Sequence, residues 1–145
     1  MKQLKSNCQT VHWGYYDAAL KPVLEIDSGE EIAVTTISAK PGDRVPSDWL
    51  PPEIHDIFAR CEKGPGPHIL TGPIAVRGAK PGDVLQVDIL NIQLAQRYGY
   101  NTTRPLAGLL PTHVRAPQHT IIPIDLATGL AEVCLLYTSP SPRDS

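Results

Sequence analysis

The chain has 145 residues, 41% of them hydrophobic and 19% charged, with a formal net charge of −2. That is enough apolar material for one packed domain and too little charge for a disordered chain. Lysines and arginines are scattered rather than clustered, which excludes a basic nucleic-acid or anionic-membrane surface. No apolar run is long enough to span a bilayer, and the opening "MKQLKSNCQTVHWG" lacks the apolar centre of a signal peptide, so the cytoplasm is the expected compartment.

The 15 prolines and 11 glycines favour short strands and tight turns over a helical bundle. "KPVLEIDSGEEIAVTTIS" reads as two short strands around a turn, with Val23, Leu24 and Ile26 in the first and a β-branched run from Ile32 in the second. "AKPGD" at 39–43 then breaks the run. The same letters recur at 79–83 and read as turn chemistry rather than duplication, with Asp43 and Asp83 bonding their own backbone. "PPEIHDIFARCEK" predicts a short helix near residues 52–62. Its Ile54, Ile57, Phe58 and Cys61 share one face, Glu53 meets the positive end of the dipole, and His55 and Asp56 lie on the polar side.

Next comes "GPGPHILTGPIAVRGAKPGD", a frame of glycines and prolines around His68 and one strand-like run. The strongest β signal follows, where Leu85, Val87 and Ile89 alternate with polar residues and the phase slips at Leu90, Ile92 and Leu94. Such a slip marks a bulge or a strand crossing between sheets. His113 and His119 fall in an expected surface loop. "HTIIPIDLATGLAEV" adds a strand, an "ATG" turn and a second strand. The expected fold is all-β, with sandwich-like or barrel-like antiparallel sheets and one short helix.

The final "CLLYTSPSPRDS" has a different character. Cys134–Asp144 reproduces one reading frame of a transposon-end adaptor used in sequencing libraries, as expected of a metagenomic fragment. Residues 134–145 are therefore read as a non-native tail and residues 1–133 as the N-terminal part of a longer β domain. With Cys134 set aside, Cys8 and Cys61 remain as unpaired thiols, which suits a reducing compartment, and neither has an activating charge pattern.

Three stretches together resemble the acetamidase/formamidase family. They are "TVHWGYYDAALKPVLEIDSGEEI" (10–32), "GPGPHILTGPIAVRGAKPGDVLQVDILNI" (64–92) and "YGYNTTRPLAGLLP" (98–111). The resemblance implies a β-rich, often metal-associated hydrolase, zinc being the expected divalent metal. Its substrate would be a short linear amide, its products a carboxylic acid and ammonia, and the full-length protein a homo-oligomer. The family's later glycine-, histidine- and acid-rich segment lies outside this sequence, so the fragment is expected to be inactive alone and to expose the surface that packs on the rest. Where many members have E-T-x-D after the first hairpin, this chain has Thr35, Thr36, Ile37 and Ser38, which removes two carboxylates.

Amide hydrolysis needs an activated water, a proton for the leaving amine and donors for the oxyanion. The chain has no G-x-S-x-G, no H-E-x-x-H and no Cys/His pair at a telling spacing. The candidate catalytic residues are His68, His12 and Asp17. In one reading a rigid loop presents His68 and Thr71, with free backbone amides from Ile69 to Gly72, to a small polar pocket in which Thr71 and Gly72 bind substrate. In the other His68 only pins the loop. His12 is either a base or metal ligand in an aromatic-walled pocket, oriented by Asp17, or the polar side of an aromatic edge strand. A different class also fits: a non-catalytic β-sandwich that stacks a sugar on Trp13, Tyr15, Tyr16 and Tyr100.

Overall fold

The computed structural model describes residues 1–38, 44–109 and 111–131. The "AKPGD" copy at 39–43, with Asp43, and the 134–145 tail lie outside the described residues. The chain forms two compact units, one spanning Met1–Leu90 and the other beginning at Asn91.

In the first unit, β1 (Lys2–Leu4) pairs in parallel with β4 (Ile32–Val34), and β3 (Leu24–Ile26) pairs in parallel with β6 (Ile74–Val76). The third pairing, β2 (Val11–Trp13) with β5 (Ile69–Thr71), is antiparallel. The expected strands at 23–26 and 32–36 are thus present, but they do not pair with each other. Each takes a distant parallel partner, so the sheets are not uniformly antiparallel. Charge placement favours this arrangement. Arg77, just past β6, reaches Glu25 at 2.7 Å and Asp27 at 2.8 Å on the β3 side. Lys2 at the start of β1 reaches Glu30 at 2.9 Å, just before β4. Its ammonium, and then the Asp27 N–H, hold the Glu30 carboxyl below the usual carboxylate range. These exposed pairs favour the register rather than supply much stability.

Helix α1 (Glu53–Arg60) forms where the apolar spacing predicts it, with Glu53 and Asp56 in the first turn. Ile54 and Ile57 are fully buried. The Ile54 N–H donates to Pro51 O at the start, and the Cys61 N–H to Ile57 O at the extended end. On the polar side Arg60 pairs with Asp56 at 3.0 Å. Phe58 meets Trp13 edge-on with ring centroids 4.6 Å apart, and the Lys63 ammonium sits 5.0 Å from the Phe58 ring centroid. Trp13 is therefore core, at 5% exposure, and not a stacking platform for a sugar.

The glycine-rich frame packs on the end of β2. A Cβ at Gly64 would collide with the Trp13 carbonyl oxygen, and one at Gly14 with the Gly66 backbone. Glycine is needed there because two backbones touch.

The second unit is an antiparallel sheet of β7 (Tyr98–Thr103), β8 (Gln118–Asp125) and β9 (Leu130–Ala131). The predicted turn is present: Asp125 accepts from the Ala127 N–H and the Thr128 hydroxyl, and Gly129 has φ +72°. His119 lies on β8 rather than in a loop, its Nδ1 2.6 Å from the Thr102 hydroxyl.

The strong β signal at 84–94 does not become a paired strand among the described residues. Val84, Leu85, Val87, Ile89, Leu90, Ile92 and Leu94 are all exposed, from 49% to 96%. Alternation reports which side chains favour burial, whereas a ladder also needs a neighbouring backbone. The turn before the segment is as expected, with Asp83 accepting from the Lys80 N–H at 2.8 Å.

Candidate active site

Of the residues singled out by sequence, strands β2 and β5 carry His12 and Thr71, with His68 and Gly72 just outside β5. The register of the two strands sets His12 opposite Leu70 and Val11 opposite Thr71. The Gly14 N–H donates to His68 O at 2.7 Å, and the Gly72 N–H to Thr10 O at 2.9 Å. Ile69–Thr71 is therefore a strand and not a free loop, and the Gly72 amide is already used by the fold. A three-residue strand set between Pro-Gly runs leaves too little alternation to read. Gly72 has φ +137°, a conformation that L side chains rarely adopt, at the point where the chain leaves β5 for β6.

Beside this ladder lies an open cavity of about 560 Å³ within the first unit. His12, Asp17, Thr36 and Thr71 are among its polar walls, with Leu20, Ile69, Leu70 and Pro73 among the apolar ones. The volume suits a small molecule. His12 is half-buried, and its Nδ1 is 3.2 Å from Gly72 O. A carbonyl can only accept, so Nδ1 carries a proton, and in the neutral ring Nε2 keeps its lone pair. Gly72 rather than Asp17 orients this ring. The Asp17 carboxylate instead accepts from the Ala19 N–H at 2.8 Å, closing its own turn. Tyr15 touches His12 edge-on, with centroids 6.1 Å apart.

Thr71 is held from behind. Its Oγ1 is 2.9 Å from Thr35 O and 2.9 Å from the hydroxyl of Ser6. Ser6 is 4% exposed and donates to the same carbonyl at 2.6 Å. Ser6 was not legible as a site residue, because "LKSN" carries no signal beyond ordinary polar spacing, and Thr35 drew notice only for the carboxylate it replaces, not for its backbone carbonyl. His68 stands just before β5 with an exposed side chain, and it does not line the cavity. The structure thus gathers His12, Asp17 and Thr71 around one cavity, with the Gly72 carbonyl behind His12, and leaves His68 apart.

A divalent metal is held by several converging side-chain donors. Among the described residues, no group of three or more His, Cys, Asp and Glu side chains comes together in that way. His12 and Asp17 are two ligand types on one wall, short of a ligand set, so the residues present do not fit a metal centre. No helix among the described residues is long and apolar enough to cross a membrane.

Comparison with known proteins bears on this β-rich frame. A solved structure of an acetamidase from Bacillus halodurans superposes with a TM-score of 0.58 at 23% identity, over 90% of this chain and 42% of that one. The chain thus spans less than half the length of that protein, and the likeness shows a shared fold. No curated protein matches the chain. The model of the Acetamidase/Formamidase family matches residues 2–129, which takes in β1 through the turn before β9 and every wall of the cavity. On that match the chain belongs to the Acetamidase/Formamidase family.

Proposed function

We propose that this chain supplies part of the active site of an amide hydrolase, which converts a short linear amide of the acetamide or formamide class to a carboxylic acid and ammonia. The observation that carries the reading is the family match over residues 2–129. The cavity beside β2 and β5 supports it with a small compartment and one basic group. The Nε2 lone pair of His12, fixed by the Nδ1–H bond to Gly72 O, is placed to take a proton from water. The hydroxide adds to the amide carbonyl carbon. The C–N bond of the tetrahedral intermediate then breaks as the nitrogen takes the proton back from His12, which leaves the acid and ammonia. Asp17 lines the same cavity, and no step is assigned to it. His68 lies away from the cavity, and no step is assigned to it. The remaining groups, among them the oxyanion donors, belong to the rest of the full-length enzyme, so the chain alone is expected to be inactive.

The test is to express the complete reading frame that encodes this chain and to measure ammonia release from formamide and acetamide. Turnover is expected, with a loss of about 100-fold or more in His12→Gln, the range for removing a general base. A folded full-length product that releases no ammonia from either amide would overturn the proposal.

A further inference from the structure

We propose that Cys8 and Cys61 form a redox site: a small-molecule disulfide converts the two thiols to an intramolecular disulfide, which braces helix α1 against the turn that leads into β2. Neither cysteine lines the cavity, so the proposal is independent of the amide reading.

Local structure fixes each cysteine. Cys8 sits in a turn closed on both sides. The Thr10 and Val11 N–H groups donate to Asn7 O at 3.0 Å and 3.1 Å, and the Asn7 N–H donates to the Thr10 hydroxyl at 3.0 Å. Cys61 is the residue at which α1 ends; its N–H donates to Ile57 O at 3.0 Å, and its own backbone is extended. The two stretches are far apart in sequence, and packing joins them. Trp13, just after the Cys8 turn, meets Phe58, on the last turn of α1 before Cys61, with ring centroids 4.6 Å apart. That contact is core, since Trp13 is 5% exposed. Beside it the Cys8 and Cys61 thiols share a hydrogen bond. Both residues are half-buried, so solvent still reaches them. A disulfide needs its two Cα atoms within about 7 Å and side chains that face each other. Thiols that share a hydrogen bond already face each other, so closing the bond asks for side-chain rotation rather than a rearrangement of turn or helix.

The surroundings set the order of attack. Cys61 keeps its proton, held first by burial and then by the bond it shares with Cys8. Cys8 therefore attacks. Its thiolate bonds to one sulfur of the small disulfide, the S–S bond breaks, and the other half leaves as a thiolate that takes up a proton. A mixed disulfide at Cys8 has neither the thiol that bonds Cys61 nor a charge that opposes its ionisation, so part of the hold on the Cys61 proton is released. The Cys61 thiolate then attacks the Cys8 sulfur and expels the second half as a thiol. Two protein thiols are thereby oxidised with the loss of two protons, and one small disulfide is reduced to two thiols. The product closes a long loop that contains β2, β3, β4 and α1, and a cross-link over such a loop restricts the unfolded chain far more than the folded one.

The chain with Cys134→Ser keeps Cys8 and Cys61 as its only thiols. It is equilibrated with mixtures of reduced and oxidised glutathione, in buffer and in concentrated urea, quenched with acid and analysed by intact mass and peptide mapping. At a given glutathione mixture, the ratio of internal disulfide to dithiol is expected to be at least about 30-fold higher in buffer than in urea, the low end of the effect of a native disulfide. By linkage the oxidised chain gains the same factor in its folding equilibrium constant, read from urea unfolding. Adding Cys61→Ser should leave a lasting glutathione adduct on Cys8, because no second thiol expels it. Equal ratios in buffer and urea overturn the proposal, as does an oxidised chain no more stable than the reduced one. A parent chain that keeps glutathione on Cys8 beside a free Cys61 overturns it too, since the two sulfurs then do not close. A Cys61→Ser chain that takes up no glutathione overturns the order of attack.

Discussion

The ring of His12 is tied to the carbonyl of Gly72, with Nδ1 3.2 Å from the oxygen. The bond crosses from β2 to the residue after β5, so the pairing of two short strands sets the tautomer of the candidate base. The expected outcome is that neutral His12 carries its proton on Nδ1. Ring-nitrogen NMR of a selectively labelled chain, recorded well above the histidine pKa range, distinguishes the two tautomers directly. A proton on Nε2 would remove the lone pair that the proposed mechanism uses.

Helix α1 has its two isoleucines fully buried, and the core of the first unit is small. Truncating either leaves a cavity that a short helix held by Trp13 and Phe58 can close only in part. Ile57→Ala and Ile54→Ala are each expected to cost about 2–5 kcal/mol, against less than about 0.5 kcal/mol for His55→Ala on the exposed side. Urea unfolding followed by tryptophan fluorescence reports this, since Trp13 packs on the helix. Equal losses at positions 55 and 57 would contradict the assigned face.

Helix α1 and the Asp125–Gly129 turn were readable because their signals are local. An i, i+3, i+4, i+7 pattern and an Asp that bonds its own turn need no distant partner. The strands Leu24–Ile26, Ile32–Val34 and Ile74–Val76 were readable as strands, but their pairing was not. Alternation says which faces are buried, and nothing in "EIDSGEEI" says that Glu25 and Asp27 will meet Arg77. The site divides in the same way. His12, Asp17 and Thr71 were legible as chemically apt residues near strand-like runs. Ser6 and the Thr35 carbonyl matter only because parallel pairing of β1 with β4 sets them behind Thr71. His68 drew notice through its rigid frame, yet the frame serves the contact with Trp13 and Gly14.

The two described cysteines also meet. The Cys61 thiol is pushed up to about 12, by burial first and then by the hydrogen bond it shares with Cys8. At pH 8 that leaves far less thiolate than an ordinary cysteine has, while each remaining thiolate is more nucleophilic. Alkylation of Cys61 is therefore expected to be slower than that of a small free thiol, by about tenfold or more. Iodoacetamide labelling followed by peptide mass analysis measures it, and Cys8→Ala should speed labelling at Cys61. Ordinary reactivity at Cys61 in the parent chain would show that burial and Cys8 do not hold its proton.

The segment Val84–Leu90 is the sharpest conflict between sequence and structure. Gln86 donates to Asp88 through its side-chain amide at 3.0 Å, so these two share one side of an extended backbone. Leu85, Val87 and Ile89 then share the other side, at 68%, 71% and 75% exposure. An extended run with one apolar side and no partner strand among the described residues invites association with another chain. The purified chain is expected to bind an apolar dye such as anilinonaphthalene sulfonate and to sediment faster as its concentration rises. Leu85→Lys together with Val87→Lys should suppress both effects and shift the unfolding free energy by no more than about 1 kcal/mol, because the replaced side chains touch solvent. A double variant that still associates would place the sticky surface elsewhere. One that unfolds outright would show that the segment is packed in solution, and the alternation would then have been reporting a true strand.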